Sequence, residues 1–121
     1  MLPYKEYPSI KEYAQAFYHE QANASPWLYT DITEAEFVEA MNAVEFSVSH
    51  PSYASQRARK LAKFAKDNNV AISDVEIEEH NSISWGDKKG RNAIEIGSLT
   101  KGRYTRERWW AIIPQAELAE A

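Results

Sequence analysis

The chain has 121 residues, 44% of them hydrophobic, including four Trp, seven Tyr and four Phe; this predicts one domain, 1–121, with enough apolar side chains for a core. It has no cysteine, which excludes disulfides and thiolate metal centres, and no apolar run long enough to span a bilayer. The formal charge of −4 is uneven: residues 1–51 carry two basic against eight acidic side chains, and residues 52–113 carry twelve against eight. Such a split either steers an anionic partner to one part of the molecule or lets the two halves complement each other.

Residues 1–8 read as a surface lead-in without the apolar run of a signal peptide, so a cytoplasmic location is the expectation. Ser9, followed three residues later by Glu12, is a capping box that opens a first helix. Ile10, Tyr13, Ala14, Phe17 and Tyr18 follow at helical spacing and form its buried stripe. The helix fades around Gln21–Asn23, and Pro26 breaks the pattern. Trp27-Leu28-Tyr29 is expected to be a connector packed on the core. Thr33 and Glu36 form a second capping box, with Ile32 and Phe37 placed for a hydrophobic staple. Phe37, Ala40, Met41 and Val44 should face inward from the second helix.

Val44 to Ser49 alternates strictly and predicts a strand, the rival reading being that the second helix extends through Phe46. A third helix over about Ser52–Asp67 points Ala54, Ala58, Leu61, Ala62 and Ala65 inward, with Phe64 beside them. Asn68-Asn69 is its expected stop, because asparagine tolerates the left-handed conformation. From Asp74 onward, alternation and turn residues predict an antiparallel meander. Its first strand carries Val75, Ile77, Ile83 and Trp85 on one parity, with a bulge or a break into two short strands at Glu79-His80-Asn81. Gly86–Gly90 is a turn, and a second strand, Asn92–Leu99, places Ile94 and Ile96 on one face. After a turn at Thr100–Arg103, a third strand, Tyr104–Ile113, carries Trp109 and Trp110 on opposite faces and ends at Pro114. Both faces of its C-terminal end are apolar. Residues 115–121 read as a helical turn or a frayed tail. The expected fold class is α+β: three helices packed on a small mixed sheet of three or four strands.

A basic and aromatic set is the leading binding candidate. It comprises Arg57, Lys60 and Lys63 of the third helix, Lys88, Lys89 and Arg91 of one loop, Lys101 and Arg103 of one turn, and Tyr104, Arg106 and Arg108 of the last strand. Clustered guanidinium and ammonium groups bind phosphates, and aromatic neighbours stack on bases; a solvated helix face with turn lysines gives the same pattern. A basic helix followed by a basic-tipped hairpin is also the layout of a winged helix. Against it, the connection at 45–51 is too long for a tight helix-turn-helix, and the pI of about 5.4 is acidic for a DNA-binding domain. Asp31, Glu34, Glu36 and Glu39 offer an acidic face, or simply suit the positive end of the second helix. Trp109 and Trp110 are candidate contacts for a protein partner or a second copy.

Catalysis has little support. Phosphate-loop and dinucleotide glycine patterns and the nucleophile-elbow motif are missing, and His19 and His50 have no recognisable partners. Glu76, Glu78 and His80 share one face of a strand and suggest a metal-dependent hydrolase only remotely, since such spacing is common by chance. The expectation is a non-catalytic module, without cofactor or metal, that engages nucleic acid or a nucleoprotein. The alternative is a small protein–protein adaptor or inhibitor, such as an accessory protein of a phage or plasmid.

Overall fold

A computed structural model describes residues 6–44, 51–80, 92–100, 103 and 106–113, with the backbone alone at 51–53, 79–80, 99–100 and 106–107. The elements are α1 (Ile10–Ala24), a 3-10 turn (Pro26–Leu28), α2 (Glu34–Val44), α3 (Pro51–Asp67), a second 3-10 turn (Ile72–Asp74), β1 (Glu76–His80), β2 (Asn92–Thr100) and β3 (Arg106–Ile113). They form an α+β protein of three helices and a three-stranded antiparallel sheet. The chain divides into two compact units, Met1–Lys63 and Phe64–Ala121.

In the first unit the helix starts are set by their caps. Ser9 Oγ accepts a hydrogen bond from the Glu12 amide at 3.2 Å. At Thr33 the box is reciprocal: the Glu36 amide donates to Thr33 Oγ1 at 3.2 Å, and the Thr33 amide donates to Glu36 Oε1 at 2.9 Å. Each bond satisfies an amide that the first helical turn leaves without a partner. Ile32 and Phe37, the staple pair, are both buried. Tyr13 and Ala14 of α1 are buried, as are Phe37, Ala40, Met41 and Val44 of α2, in line with the stripes expected from spacing. Val44 belongs to α2; the rest of the expected strand, 45–49, lies outside the described residues.

The second unit begins where α3 ends. The Val70 amide donates to Ala65 O at 3.0 Å and the Asn69 amide to Lys66 O at 3.1 Å, closing a Schellman cap. Asn69 takes φ 55°, the left-handed conformation that this cap needs. The Asn68 side chain donates to Phe64 O at 2.8 Å and accepts from the Asn92 amide group, which ties the helix end to the first residue of β2.

The sheet order is β1-β3-β2, not the sequential order of a meander. β3 pairs with β1 from Glu76↔Ile112 to His80↔Arg108, and with β2 from Asn92↔Ile113 to Thr100↔Arg106. The centre of a sheet suits the strand that is apolar on both faces, and Trp109–Ile113 are buried without a break. The 81–91 segment between β1 and β2 is also longer than the roughly two to five residues of an ordinary hairpin loop. The expected strand residues Ile83 and Trp85 and the turn Gly86–Gly90 fall in that segment, outside the described residues.

The bulge also differs from expectation. β1 pairs without interruption through Glu79 and His80, and the register shift lies in β2, between Glu95 and Gly97. Ile96 is therefore the extra residue, which breaks the parity that Ile94 and Ile96 would share in a regular strand. Ile96 is fully buried, whereas Ile94 is 37% exposed.

Candidate binding groove

Five aromatic rings from α1, the Pro26 turn and α2 make the core of the first unit. Phe17 stacks on Phe37 with ring centroids 6.0 Å apart and planes 14° from parallel. Tyr29 meets Tyr18 and Phe37 edge-on at 5.3 and 5.7 Å, and Tyr13 tilts against Phe17 at 5.8 Å. Edge-to-face and offset contacts at these spacings are the arrangements that ring quadrupoles favour. The Tyr18 hydroxyl donates to Ile32 O at 2.7 Å, which fixes the chain just before the α2 cap.

Tyr29 reaches this cluster because Pro26 opens the 3-10 turn, a place where its missing amide is not needed. The Tyr29 amide donates to Pro26 O at 3.0 Å, and the Thr30 hydroxyl donates to the same oxygen at 3.2 Å. Burial pushes the Tyr29 phenol above its ordinary value of 10.0; the Arg59 charge opposes this and Tyr18 adds to it. Burial likewise raises the Tyr13 phenol, with Tyr7 and Glu20 adding to it.

An open groove of about 270 Å³ lies over Tyr29, lined by Phe17, Gln21, Leu28, Tyr29, Ser55, Gln56 and Arg59. The Arg59 guanidinium stands 5.7 Å from the centre of the Tyr29 ring, within cation–π range. Its Nε is buried and has no acceptor among the described residues. Leu28, which lines the groove, is 40% exposed, and Trp27, its neighbour in the chain, is 71% exposed. A 3-10 turn of three residues spreads its side chains around its axis. Of the Trp27-Leu28-Tyr29 run, only Tyr29 faces the core, so the expectation that all three pack inward is corrected.

A second cavity, about 430 Å³, lies along α1 and α2 and is lined by Lys11, Gln15, Glu34, Ala35, Val38, Glu39 and Asn42. Two of its polar side chains, Glu34 and Asn42, are engaged. Glu34 Oε1 lies 2.7 Å from His19 Nε2, and the Asn42 side chain donates to Val38 O at 3.1 Å. Of the expected acidic face, Glu36 closes the Thr33 box, as an acid in the first turn would.

The described members of the expected basic set lie in different surroundings. Lys60 and Lys63 are exposed on α3, and Arg103 is exposed. Arg57 is buried, with 1% of its surface exposed. It lies three residues after Ala54 and four before Leu61, on the buried stripe itself, so helical geometry overrides its charge. Arg108 is half-buried and engaged within the sheet: its Nε and Nη2 lie 3.2 and 2.9 Å from Glu95 Oε2, and its guanidinium is 5.6 Å from the centre of the Trp110 ring. Lys88, Lys89, Arg91, Lys101 and Tyr104 lie outside the described residues, and Arg106 is described by its backbone in β3.

Trp109 and Trp110 are both buried. With 2% and 3% of their surfaces exposed, neither side chain lies open as the expected interface contact would. Among the described residues no group of three acidic or histidine side chains gathers as a metal ion would require, and no helix is long and apolar enough to cross a membrane. Comparison with family models, with curated proteins and with solved structures finds no match for this chain.

The exposure of Trp27 and the place of Arg59 beside the Tyr29 ring were not expected from the sequence. The available signal was the Ser25-Pro26 start of a short turn followed by three large apolar residues, of which a 3-10 turn buries only a part. Arg59 lies five residues after Ala54, off the stripe defined by Ala54, Ala58 and Leu61. That offset places it at the edge of the stripe, where a long side chain can lie along apolar surface.

Proposed function

We propose that the chain is a non-catalytic binding module that engages a protein partner through the Trp27–Leu28 rim and the adjoining groove. The exposure of Trp27 carries this reading. An indole 71% exposed on a turn anchored by the Tyr29 ring and the Thr30 hydroxyl is a rigid apolar anchor. Tryptophan and arginine are the residues most often found to dominate binding energy at protein interfaces. The nearby aromatic core holds the turn in place, so little ordering remains to be done on binding.

The test is capture of partners from a lysate of the source cells, followed by reconstitution of the retained protein with the purified chain. Trp27→Ala is expected to weaken the reconstituted complex by at least about tenfold while leaving the thermal melt unchanged. A complex indifferent to Trp27 overturns the reading. A second copy of the chain also counts as a protein partner, and sedimentation of the chain alone, with and without Trp27→Ala, identifies that case.

Nucleic acid is the second reading, favoured by the exposed Lys60 and Lys63 on the outer face of α3. Fluorescence anisotropy with short single- and double-stranded DNA and RNA tests it. Binding that falls steeply with salt and is lost on Lys60→Glu with Lys63→Glu supports it; no binding at low salt removes it.

A further inference from the structure

We propose that the Arg59 groove receives an acidic side chain of the partner, flanked by an apolar residue that lies against Phe17, Leu28 and Tyr29. This rests on the protein-binding reading above and names the chemistry of the segment that docks. The groove is divided by chemistry: Phe17, Leu28 and Tyr29 are apolar or aromatic, while Gln21, Ser55, Gln56 and Arg59 are polar. Among the described residues no acidic side chain lines it, in contrast to the 430 Å³ cavity, where Glu34 and Glu39 both do.

Among the described residues of the lining, Arg59 is the one that carries a charge. Its guanidinium lies 5.7 Å from the centre of the Tyr29 ring, which places its charge at the groove wall. A carboxylate offers acceptors in the geometry that a guanidinium fork matches, and Arg59 belongs to the groove lining. The side-chain amides of Gln21 and Gln56 provide further neutral donors. A single cation among apolar side chains suits a singly charged carboxylate better than a dianionic phosphate, which is usually held by clustered arginines.

The size of the surface points to a segment of polypeptide. About 270 Å³ accommodates one or two side chains and is below the roughly 300–1,000 Å³ usual for small-molecule sites. The exposed part of Leu28 carries apolar surface out of the groove, and the exposed Trp27 precedes it in the same turn. An extended peptide with an acidic residue between apolar ones covers both the groove and the rim.

The experiment is an NMR titration of the full chain with acetyl-Gly-Leu-Glu-Leu-Phe-Gly-amide and with its Gln-for-Glu counterpart, read at the Arg59 Nε–H and the Trp27 indole N–H. The acidic peptide is expected to shift both resonances and to bind at least about tenfold more tightly than the neutral one. Arg59→Gln should remove that difference while leaving affinity for the neutral peptide within about twofold, and Arg59→Lys, which keeps the charge but not the planar fork, should recover part of it. Equal affinity for the two peptides, or a difference that survives Arg59→Gln, overturns the proposal. N-acetylleucine carries the same carboxylate and apolar group in one small molecule. If it binds as tightly as the peptide, the groove is a small-molecule site and the docking of a segment is refuted. Should the reconstituted partner depend on Trp27 but not on Arg59, the acidic-segment proposal falls and the wider protein-binding reading stands.

Discussion

Replacing Arg108 by alanine removes a cross-strand contact that the sequence suggested was a nucleic-acid contact. The guanidinium reaches Glu95 through Nε and Nη2, at 3.2 and 2.9 Å, and both donors converge on one oxygen, Oε2. The pair is partly desolvated, with side chains 34% and 28% exposed. Its worth therefore lies between a surface ion pair, about 0–1 kcal/mol, and a hydrogen bond to a charged group, about 1.5–3 kcal/mol. Convergence on a single oxygen places it below a two-oxygen fork. Stacking over Trp110 at 5.6 Å adds about 0.5–1 kcal/mol. Arg108→Ala is thus expected to cost about 1.5–2.5 kcal/mol in urea unfolding, and a double-mutant cycle with Glu95→Ala should show about 1 kcal/mol of coupling. The coupling should weaken only modestly in high salt, since the pair is half-buried. Coupling below about 0.3 kcal/mol, within the usual error of additivity, would refute the assignment of Arg108 to the sheet. Loss of nucleic-acid binding without loss of stability would return it to a binding role.

Three further outcomes follow from the same geometry. Thr33→Ala removes one half of the reciprocal cap and should lower stability by about 1 kcal/mol; a denaturation midpoint equal to the wild type's would show that the cap contributes nothing. Arg57→Ala should cost about 2 kcal/mol or more, because a buried long side chain is truncated, whereas Lys60→Ala should stay within about 0.5 kcal/mol; equal effects would contradict their opposite burial. The Tyr29 phenol, raised by burial from 10.0, favours the folded state while it is protonated. That contribution is complete below pH 10 and is lost as pH rises from there through the folded-state value. The Tyr29 Cζ resonance should accordingly titrate above 10 in the folded chain, and a midpoint at or below 10 would remove the burial argument.

Local signals were well expressed in the sequence. The Thr33/Glu36 box, the apolar stripes of α1 and α2, and the left-handed Asn69 each depend on residues within a turn or two of one another. The α+β class and the antiparallel pairing of β2 with β3 were also legible. Strand order was not, because it depends on which strand can be covered on both sides. The apolar run from Trp109 to Ile113 held that information, yet sequential neighbours are the commoner arrangement and were preferred.

At the site, charge was a poor guide. Arg57 lies on the buried stripe, Arg108 is spent on Glu95, and the arginine that faces a groove, Arg59, sits beside an aromatic residue thirty positions away in sequence. Trp27 was taken for core because it is large and apolar. Its exposure follows from the shortness of the turn that carries it, which propensity does not convey.

The most direct test of the central claim is a chemical-shift map of the chain against its captured protein partner, with the Trp27 indole N–H as the reporter. The account predicts the largest shifts at Trp27, Leu28, Tyr29 and Arg59, little changed at moderate salt. Shifts centred on Lys60 and Lys63 that vanish as salt is raised, with the Trp27 indole unmoved, would contradict it.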